Sequence, residues 1–183
     1  QGSSPFGNAI NAFKNFLLNF PETEYRREVN EYLANLYITS KDYSRAMEAI
    51  LQTGMSSMAM REAYQRVAYY RAVELYHSSN WLKAKEFFNK SLTYQQNLTF
   101  VALAHFWMGE LAYKKGDAQE ALAQFESFLN TPGSYALSER PVSLYNKAYC
   151  LYKLDKLEDA SAAFRVYLED AKGDNKKNAD ATL

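Results

Sequence analysis

The segment GELAYKKGDAQEALAQF, residues 109–125, contains the clearest structural pattern in the chain. It holds a small residue, an apolar and aromatic pair, a short polar turn at Gly116-Asp117, an alanine at position 121 and Phe125 four residues later. Side chains four residues apart share one face of a helix. Gly-Asp suits the end of one helix and the start of the next. The stretch therefore predicts two amphipathic helices joined by a tight turn.

The same pattern occurs three more times along the chain. It is found in ANLYITSKDYSRAMEAI from residue 34, AVELYHSSNWLKAKEFF from residue 72 and AYCLYKLDKLEDASAAF from residue 148. The repeated alanines are Ala46, Ala84, Ala121 and Ala160, at intervals of 38, 37 and 39 residues, and Ala9 lies 37 residues before the first of them. A regular period of this size is the signature of a repeat protein.

Two local features of each repeat carry a structural expectation. Small side chains allow the first helix to approach the second closely, and they stand at Ala34, Ala72, Gly109 and Ala148. Polar residues at the turns are expected to cap the second helices by accepting a backbone hydrogen bond. The expected caps are Asp42, Asn80 and Asp117, the last as part of a capping box with Glu120.

These residues resemble the tetratricopeptide repeat family from residue 9 to residue 170, and GDAQEALAQF is the best single match. The periods of 37 to 39 residues exceed the roughly 34 residues usual in the family. Arg71 and Lys147 also stand where the family normally has a core leucine. The resemblance implies an all-α fold, a right-handed superhelical α-solenoid of helix–turn–helix repeats.

The repeats divide the chain into a single array over residues 1–183. It consists of a lone helix at 7–20, repeats at about 24–60, 61–98, 99–135 and 139–174, and the start of a further repeat at 178–183. Helices are predicted at roughly 7–20, 24–39, 43–54, 61–77, 81–94, 99–114, 118–130, 140–153 and 157–171, with a turn at 172–177. We expect this chain to be a piece of a longer array whose ends can associate with one another.

Composition excludes several classes of protein. The 21 basic and 21 acidic side chains leave no net charge, so no general attraction to nucleic acid is expected. The uncharged segment 91–109 is interrupted by Gln95, Gln96 and Asn97, which argues against a membrane span. One cysteine, Cys150, leaves the redox compartment open.

Residues suited to chemistry are sparse. No His-x-x-x-His or Cys-x-x-Cys grouping accompanies His77 or His105, so neither a metal site nor a cofactor is expected. We expect His77 to face a groove and His105 to pack between helices. Cys150 is expected to be a buried packing residue, because no basic partner can be assigned to it. The sequence therefore argues against an enzyme.

The resemblance also implies a binding surface, because first helices line the concave face in this family. Two aromatic rows are expected there, Tyr69, Phe106 and Tyr145 in one, and Tyr76, Tyr113 and Tyr152 in the other. Such rows can bind a partner or only pack neighbouring helices, and both interpretations remain open. The full set of candidate groove residues is Asn35, Arg66, Tyr69, Tyr70, Tyr76, His77, Phe106, Trp107, Glu110, Tyr113, Lys114, Tyr145, Asn146, Tyr149, Tyr152 and Lys153.

Three functional classes follow from these observations. The first is an interaction scaffold that binds a peptide or helix of another protein in its groove. Chaperone-binding members of the family hold a C-terminal carboxylate with a clamp of Lys, Asn and Arg side chains, and of that clamp only Asn35 is present in this sequence. A similarity of residues 9–37 to two bacterial envelope proteins, the Tol-Pal-associated periplasmic protein and the outer-membrane assembly lipoprotein, favours the periplasm or cell envelope. The second class is a carbohydrate-binding lipoprotein, in which an exposed Trp107 and the tyrosines would stack on sugars. The third is a regulatory array of a larger signalling protein.

Overall fold

The computed structural model describes residues 5–55 and 57–180, and the regular structure in this part of the chain is helical. The helices are α1 (Pro5–Asn19), α2 (Arg26–Thr39), α3 (Tyr43–Gln52), α4 (Met58–His77), α5 (Trp81–Leu92), α6 (Leu98–Lys114), α7 (Ala118–Asn130), α8 (Arg140–Lys153) and α9 (Leu157–Asp180), with a short 3₁₀ turn at Ser134–Ala136. The predicted order of helices is confirmed, and α7 and α8 have the predicted bounds.

The turns inside the helix pairs share one backbone geometry. Lys41, Ser79, Gly116 and Asp155 all adopt left-handed backbone, with φ of 58°, 59°, 80° and 58°. In each turn the amide of the next residue donates to the carbonyl five residues earlier, at 2.8 to 3.0 Å. This pattern closes the end of the first helix with a Schellman motif. The sequence repeat is therefore also a repeat of backbone conformation.

The small residues of the pattern lie where helices touch. Ala34, Ala72 and Ala148 on the first helices are fully buried, as are Ala46, Ala84 and Ala121 on the second helices. A Cβ atom placed on Gly109 would lie 2.8 Å from Cε1 of the Phe125 ring, closer than carbon atoms pack. The expected close approach of paired helices is confirmed at these positions.

Two of the three expected helix caps form. The Asp42 carboxylate accepts a hydrogen bond from the Arg45 amide at 3.1 Å, and the Asp117 carboxylate accepts one from the Glu120 amide at 3.0 Å. Asn80 occupies the cap position of α5 but makes no side-chain capping bond, so that expectation is wrong. Its backbone still begins the helix, because the Ala84 amide donates to the Asn80 carbonyl at 2.9 Å.

The chain forms two compact units, residues 1–97 and residues 98–183. In the first unit α2, α3 and α4 surround a core that contains Ile50 and Val67. The Gln65 side chain links two segments that are 32 residues apart in the sequence. It donates to the Asn97 carbonyl at 3.0 Å and accepts from the Asn97 amide at 2.8 Å. Because Gln65 is fully buried, these bonds are shielded from water and fix the segment after α5 against α4.

The second unit pairs α6 with α7 and α8 with α9 around a core of aromatic side chains. Phe125 and Phe128 of α7 are fully buried in it. His105 of α6 lies within hydrogen-bonding distance of Gln124 on α7, at 2.8 Å, as expected for a residue packed between helices. These two helix pairs position the candidate site.

The C-terminal end differs from the sequence expectation. Helix α9 continues through residues 172–177, where a turn was predicted, and ends at Asp180. Gly173 and Asn175 favour turns locally, but propensity is a weak signal that a long helix can override. Residues 178–180, expected to start another repeat, are also part of α9, and residues 181–183 lie outside the described residues. None of the helices in residues 5–55 and 57–180 is both long and apolar enough to cross a membrane.

Candidate functional site

The two aromatic rows expected from the sequence divide into buried and exposed members. Tyr69, Tyr76 and Phe106 are buried, with 8%, 8% and 7% of their surface exposed. Tyr69 packs against Phe88 and Phe106 packs against Phe125, with ring centroids 6.1 Å and 6.4 Å apart. These rings hold first helices to second helices, which is the packing interpretation that the sequence left open.

The exposed aromatic side chains of the candidate set concentrate in the second unit. We define the tyrosine face as Tyr113 of α6 with Tyr145, Tyr149 and Tyr152 of α8. Neighbouring rings are 6.0 Å apart between Tyr113 and Tyr149, 6.3 Å between Tyr149 and Tyr145, and 6.1 Å between Tyr149 and Tyr152. Tyr145 and Tyr152 are 43% and 55% exposed. The four rings therefore form one continuous surface with water-accessible members.

A cavity of about 630 Å³ adjoins this face and is called the notch below. Tyr113, Tyr149 and Lys153 line it together with the turn between α6 and α7. The remaining lining residues are Gly116, Asp117, Ala118, Gln119 and Leu154. The Lys153 ammonium nitrogen lies 5.3 Å from the centroid of the Tyr149 ring, a cation–π contact. The notch thus combines two aromatic walls with the Lys153 ammonium group and the Asp117 carboxylate.

Polar residues join α6 and α8 beneath the tyrosine face. The Asn146 amide donates to Glu110 Oε1 at 2.7 Å. Burial raises the pKa of the Glu110 carboxyl, although the Lys114 charge and the hydrogen bond from Asn146 oppose the rise. Asn146 is 9% exposed, so its side chain is held in place by packing as well as by this bond. The pair links the two first helices by one hydrogen bond.

Cys150 lies in the same layer and is fully buried. Burial, reinforced by the negative charge of Glu110, raises the pKa of the thiol to about 11. A thiol with a raised pKa carries little thiolate at neutral pH and is a poor nucleophile. The expectation that Cys150 is a packing residue is confirmed.

Candidate residues in the first unit are more dispersed. Tyr70 stacks on Tyr43 of α3 with ring centroids 5.5 Å apart, and it is 38% exposed. His77 is exposed and lies edge-on to Tyr76. The Arg66 Nε atom is buried and has no hydrogen-bond partner. In the first unit these residues do not form an exposed aromatic surface like the tyrosine face.

The candidate groove residues differ in how far they are exposed to solvent. The buried members are Tyr69, Tyr76, Phe106 and Asn146; the half-buried members are Arg66, Trp107, Glu110, Tyr113 and Tyr149; the exposed members are Asn35, Tyr70, His77, Lys114, Tyr145, Tyr152 and Lys153. Trp107 was expected to be exposed, but it is half-buried and packs edge-on against Phe106 at 5.2 Å.

Sequence reasoning missed the part of the site that second helices contribute. Phe164 and Tyr167 of α9 contact the Tyr145 ring at 5.9 Å and 5.6 Å, and Gln119 of α7 lines the notch. Phe164 and Tyr167 are three residues apart, so they share a helix face. From that spacing, the sequence could have predicted that the aromatic surface continues onto α9.

Groups that could support metal chemistry are not found in the described part of the chain. No cluster of three or more His, Cys, Asp or Glu side chains suited to a metal ion occurs there. The tyrosine face and the notch offer aromatic rings, the Gln119 amide group and the charged groups of Lys153 and Asp117. Such surfaces are suited to binding another molecule.

Comparisons with known proteins agree with this architecture. Residues 103–134 match the model of a tetratricopeptide repeat family. Two solved structures, each described as a crystal structure of MamA, are similar to the chain. The first has a TM-score of 0.54 and 15% identity, and the match covers 93% of this chain and 91% of that chain. The second has a TM-score of 0.52 and 15% identity, and the match covers 93% of this chain and 85% of the other.

Among curated proteins, no relative matches the chain. At 15% identity the likeness to MamA shows the fold alone, and it confirms the predicted class, an all-α fold of tetratricopeptide-like helix pairs. The match at residues 103–134 covers α7 and most of α6, the pair in which the sequence pattern is strongest. The comparisons therefore identify one tetratricopeptide repeat, at residues 103–134, in a chain whose overall fold is similar to that of MamA.

Proposed function

We propose that the chain is a non-catalytic scaffold that binds a peptide or helical segment of another protein across the tyrosine face. The tetratricopeptide repeat and the MamA-like fold support a protein-interaction scaffold in general terms. The observation that supports the tyrosine face in particular is its continuity, because its four rings contact one another and include the exposed Tyr145 and Tyr152.

The chemistry of tyrosine fits this role. A tyrosine ring supplies a large apolar area at low conformational cost, and its hydroxyl group can bond to backbone groups of a partner. Tyrosines are also enriched among the residues that dominate binding energy at protein interfaces. In this chain the Glu110–Asn146 hydrogen bond holds α6 and α8 together, so the rings are positioned before a partner arrives. Such preorganisation lowers the entropic cost of binding.

The proposal is tested by replacing Tyr113 and Tyr152 with Ala, singly and together. Each change should weaken binding of a captured partner by about 1–3 kcal/mol if the residue dominates the interface. The matched control is Tyr135→Ala, because Tyr135 is 76% exposed and lies in the 3₁₀ turn outside the tyrosine face. Partners are captured from a lysate, identified, and then titrated against each purified variant. Wild-type affinity in the double variant, with lost affinity in Tyr135→Ala, would contradict the proposal.

A cell-envelope setting is a second part of the proposal. It rests on a resemblance inferred from the sequence pattern of residues 9–37 alone, to the Tol-Pal-associated periplasmic protein and the outer-membrane assembly lipoprotein. The test is fractionation of cells that express the complete gene product with a C-terminal tag. Recovery of the tagged protein with periplasmic or membrane markers supports the envelope, and recovery only with cytoplasmic markers overturns it.

Self-association is a third part of the proposal. Leu18 of α1 and Leu168 of α9 are 76% and 54% exposed, and other apolar side chains on these two helices are exposed as well. Apolar surface of this kind favours association. The mass of the chain should therefore rise with concentration in light scattering. Replacing Leu18 and Leu168 with Ser should abolish that rise, whereas a monomer at every concentration would contradict self-association.

A further inference from the structure

Two sets of three aromatic rings occupy equivalent positions in the second unit, 39 residues apart. The inner ring set is Phe106, Phe125 and Phe128, and the outer ring set is Tyr145, Phe164 and Tyr167. In the inner set the first ring lies 6.4 Å and 5.9 Å from the other two, and in the outer set these distances are 5.9 Å and 5.6 Å. The two helix pairs therefore present the same arrangement of rings.

The two sets differ in how far they are exposed to solvent. Phe106 is 7% exposed and the other two inner rings are fully buried, whereas Tyr145 is 43% exposed and the other two outer rings are half-buried. The inner rings share one buried cluster with Cys150 and Leu151 of α8, and Leu137 in the loop before α8 packs against that cluster. In the described part of the chain α9 packs mainly on α8, so the outer rings have no helix in the place that α8 takes on α7.

The covered interface between α7 and α8 also contains an ion pair. Glu126 of α7 and Lys147 of α8 lie 3.1 Å apart. The residue of α9 equivalent to Glu126 is Arg165, which is exposed. None of the ion pairs of the described residues involves Arg165. A helix that covers the outer rings as α8 covers the inner rings would therefore meet a positive charge where α8 meets a negative one.

Three acidic residues lie near this arginine on α9. Glu169 follows it by one turn, but its equivalent on α7, Asn130, stays exposed beside α8, so this position lies outside the covered interface. Asp170 is engaged in an ion pair with Arg140 at 2.9 Å. Glu158 precedes the arginine by two turns, about 10 Å along the helix axis, a distance at which exposed charges are largely screened. The charge opposite a covering helix is therefore positive at this one position.

We propose that the outer ring set receives an amphipathic helix of another protein, stacked on α9 as α8 is stacked on α7, with an acidic side chain paired to Arg165. This inference rests on the proposed function, because it states where a helical segment of the partner binds. The helix should carry apolar residues three and four positions after the acidic one, where α8 has Cys150 and Leu151, since these positions share a helix face. Tyr145 belongs both to the outer ring set and to the tyrosine face, so the bound helix would lie along one edge of that face.

A second copy of the chain matches this surface less well. Its first helices are already paired, as shown by the fully buried Ala34, Ala72 and Ala148. Helix α1 exposes apolar side chains, but Lys14 is its only charged residue. Because Lys14 has the same charge as Arg165, α1 cannot supply the ion pair. Charge complementarity therefore favours a helix of another protein.

The experiment uses three synthetic peptides with the sequence of residues 140–154 and the substitution Cys150→Ala. One keeps Lys147, and the other two carry Lys147→Glu or Lys147→Gln. Glu, Gln and Lys have similar helix propensities, so differences among the peptides report on the contact that this side chain makes. The peptides are titrated into the full chain by calorimetry. The Glu peptide should bind about tenfold more tightly than the Gln peptide, as expected for one well-placed ion pair, and the Lys peptide should bind most weakly.

Variants of the chain then assign the preference to one side chain. Arg165→Gln should remove the advantage of the Glu peptide, and Arg165→Glu should reverse the order so that the Lys peptide binds best. Lys115→Glu is the matched control, because it changes the net charge by the same amount at an exposed residue in the turn between α6 and α7. Exposed charges contribute little to folding, so these variants should remain folded.

The outcomes separate this inference from the proposed function. Equal binding of the Glu and Gln peptides, an order unchanged by Arg165→Glu, or failure of all three peptides to bind overturns the stacked helix, while the proposed function is judged by the captured partner. Binding that Tyr113→Ala weakens and Arg165→Glu leaves unchanged would place the helix on the tyrosine face alone, so the proposed function would stand without the stacked helix. A mass that rises with concentration in light scattering, and no longer does so in Arg165→Glu, would show that a second copy occupies the surface and would also overturn the inference.

Discussion

At the scale of single residues, the fold depends on positions that carry a small side chain or, as in glycine, none. Gly109 of α6 faces Phe125 of α7 so closely that any Cβ atom would overlap the ring. Phe125 is fully buried and has little room to move, because protein interiors are packed as densely as organic crystals. One missing methyl group therefore determines how closely the two helices pack.

Gly109→Ala is expected to destabilise the second unit by about 1–3 kcal/mol, the usual cost of overpacking a core. The matched control is Gly7→Ala in α1, where a Cβ atom meets nothing within 4 Å. That change should stabilise its helix by up to about 1 kcal/mol through helix propensity alone. Urea unfolding is followed by tryptophan fluorescence in chains that keep one tryptophan, Trp107 to report on the second unit or Trp81 to report on the first, with the other replaced by Phe. An unchanged midpoint in Gly109→Ala would show that the helices can separate at no cost.

Cys150 gives a prediction with a definite pH dependence. Because burial raises the pKa of its thiol from 9.0 to about 11, the folded state holds the proton more strongly than the unfolded state. The resulting stability is fully present below pH 9 and is lost as the pH rises toward 11. Iodoacetamide should label Cys150 far more slowly in the native protein than in urea at pH 8. Equal labelling rates would show that the thiol is accessible.

At the scale of elements, the helix pairs depend on one turn conformation used four times. Three of the turns place a non-glycine residue in left-handed backbone, at Lys41, Ser79 and Asp155, and one places Gly116 there. Left-handed backbone costs a residue with a Cβ atom about 1–2 kcal/mol. The turns therefore carry strain that the Schellman hydrogen bonds and the packing of the paired helices offset.

Ser79→Gly should accordingly stabilise the first unit by about 1 kcal/mol, and Gly116→Ala should destabilise the second by a similar amount. Both residues are exposed, so neither change disturbs a core. Midpoints of urea unfolding, read from Trp81 for the first variant and Trp107 for the second, show whether Ser79→Gly is stabilised and Gly116→Ala is destabilised. Shifts in the same direction for both variants would contradict the conformational explanation.

The elements also show what the sequence could and could not predict. The spacing of Ala46, Ala84, Ala121 and Ala160 predicted the helix pairs, because helical periodicity and turn chemistry are local properties. The accessibility of aromatic residues was not predictable in this way. Tyr69 and Tyr145 occupy equivalent repeat positions, yet Tyr69 is 8% exposed and Tyr145 is 43% exposed.

The difference lies in their neighbours along the chain. Tyr69 packs against Phe88, which is fully buried, whereas Tyr145 packs against Phe164, which is itself only half-buried. Gln65 and Asn97 give a similar case, since their hydrogen bonds join residues 32 positions apart. Contacts of this kind depend on tertiary packing, so one sequence does not contain a local signal for them. The candidate groove residues remain a prediction, and the tyrosine face is the subset that the proposed function uses.

At the scale of the whole molecule, this is a repeat protein whose helix pairs are divided between two compact units. Each repeat in such proteins is stabilised mainly by its neighbours, so stability is distributed along the chain. The buried Gln65–Asn97 link belongs to the first unit, and the Glu110–Asn146 link belongs to the second. A cut between residues 97 and 98 would separate the units without breaking either link.

The fragment 98–183 is therefore expected to fold and to retain the tyrosine face. Its buried cluster includes Phe125, Phe128 and Cys150, and its length is within the usual range of a domain. Circular dichroism should show a cooperative thermal transition, and a partner captured by the full chain should bind the fragment within about twofold of its affinity for the full chain, since a difference below 0.5 kcal/mol is expected when no contact is lost. A folded fragment that no longer binds the partner would mean that residues 1–97 contribute to the site, whereas an unfolded fragment would mean that the second unit depends on the first for its stability.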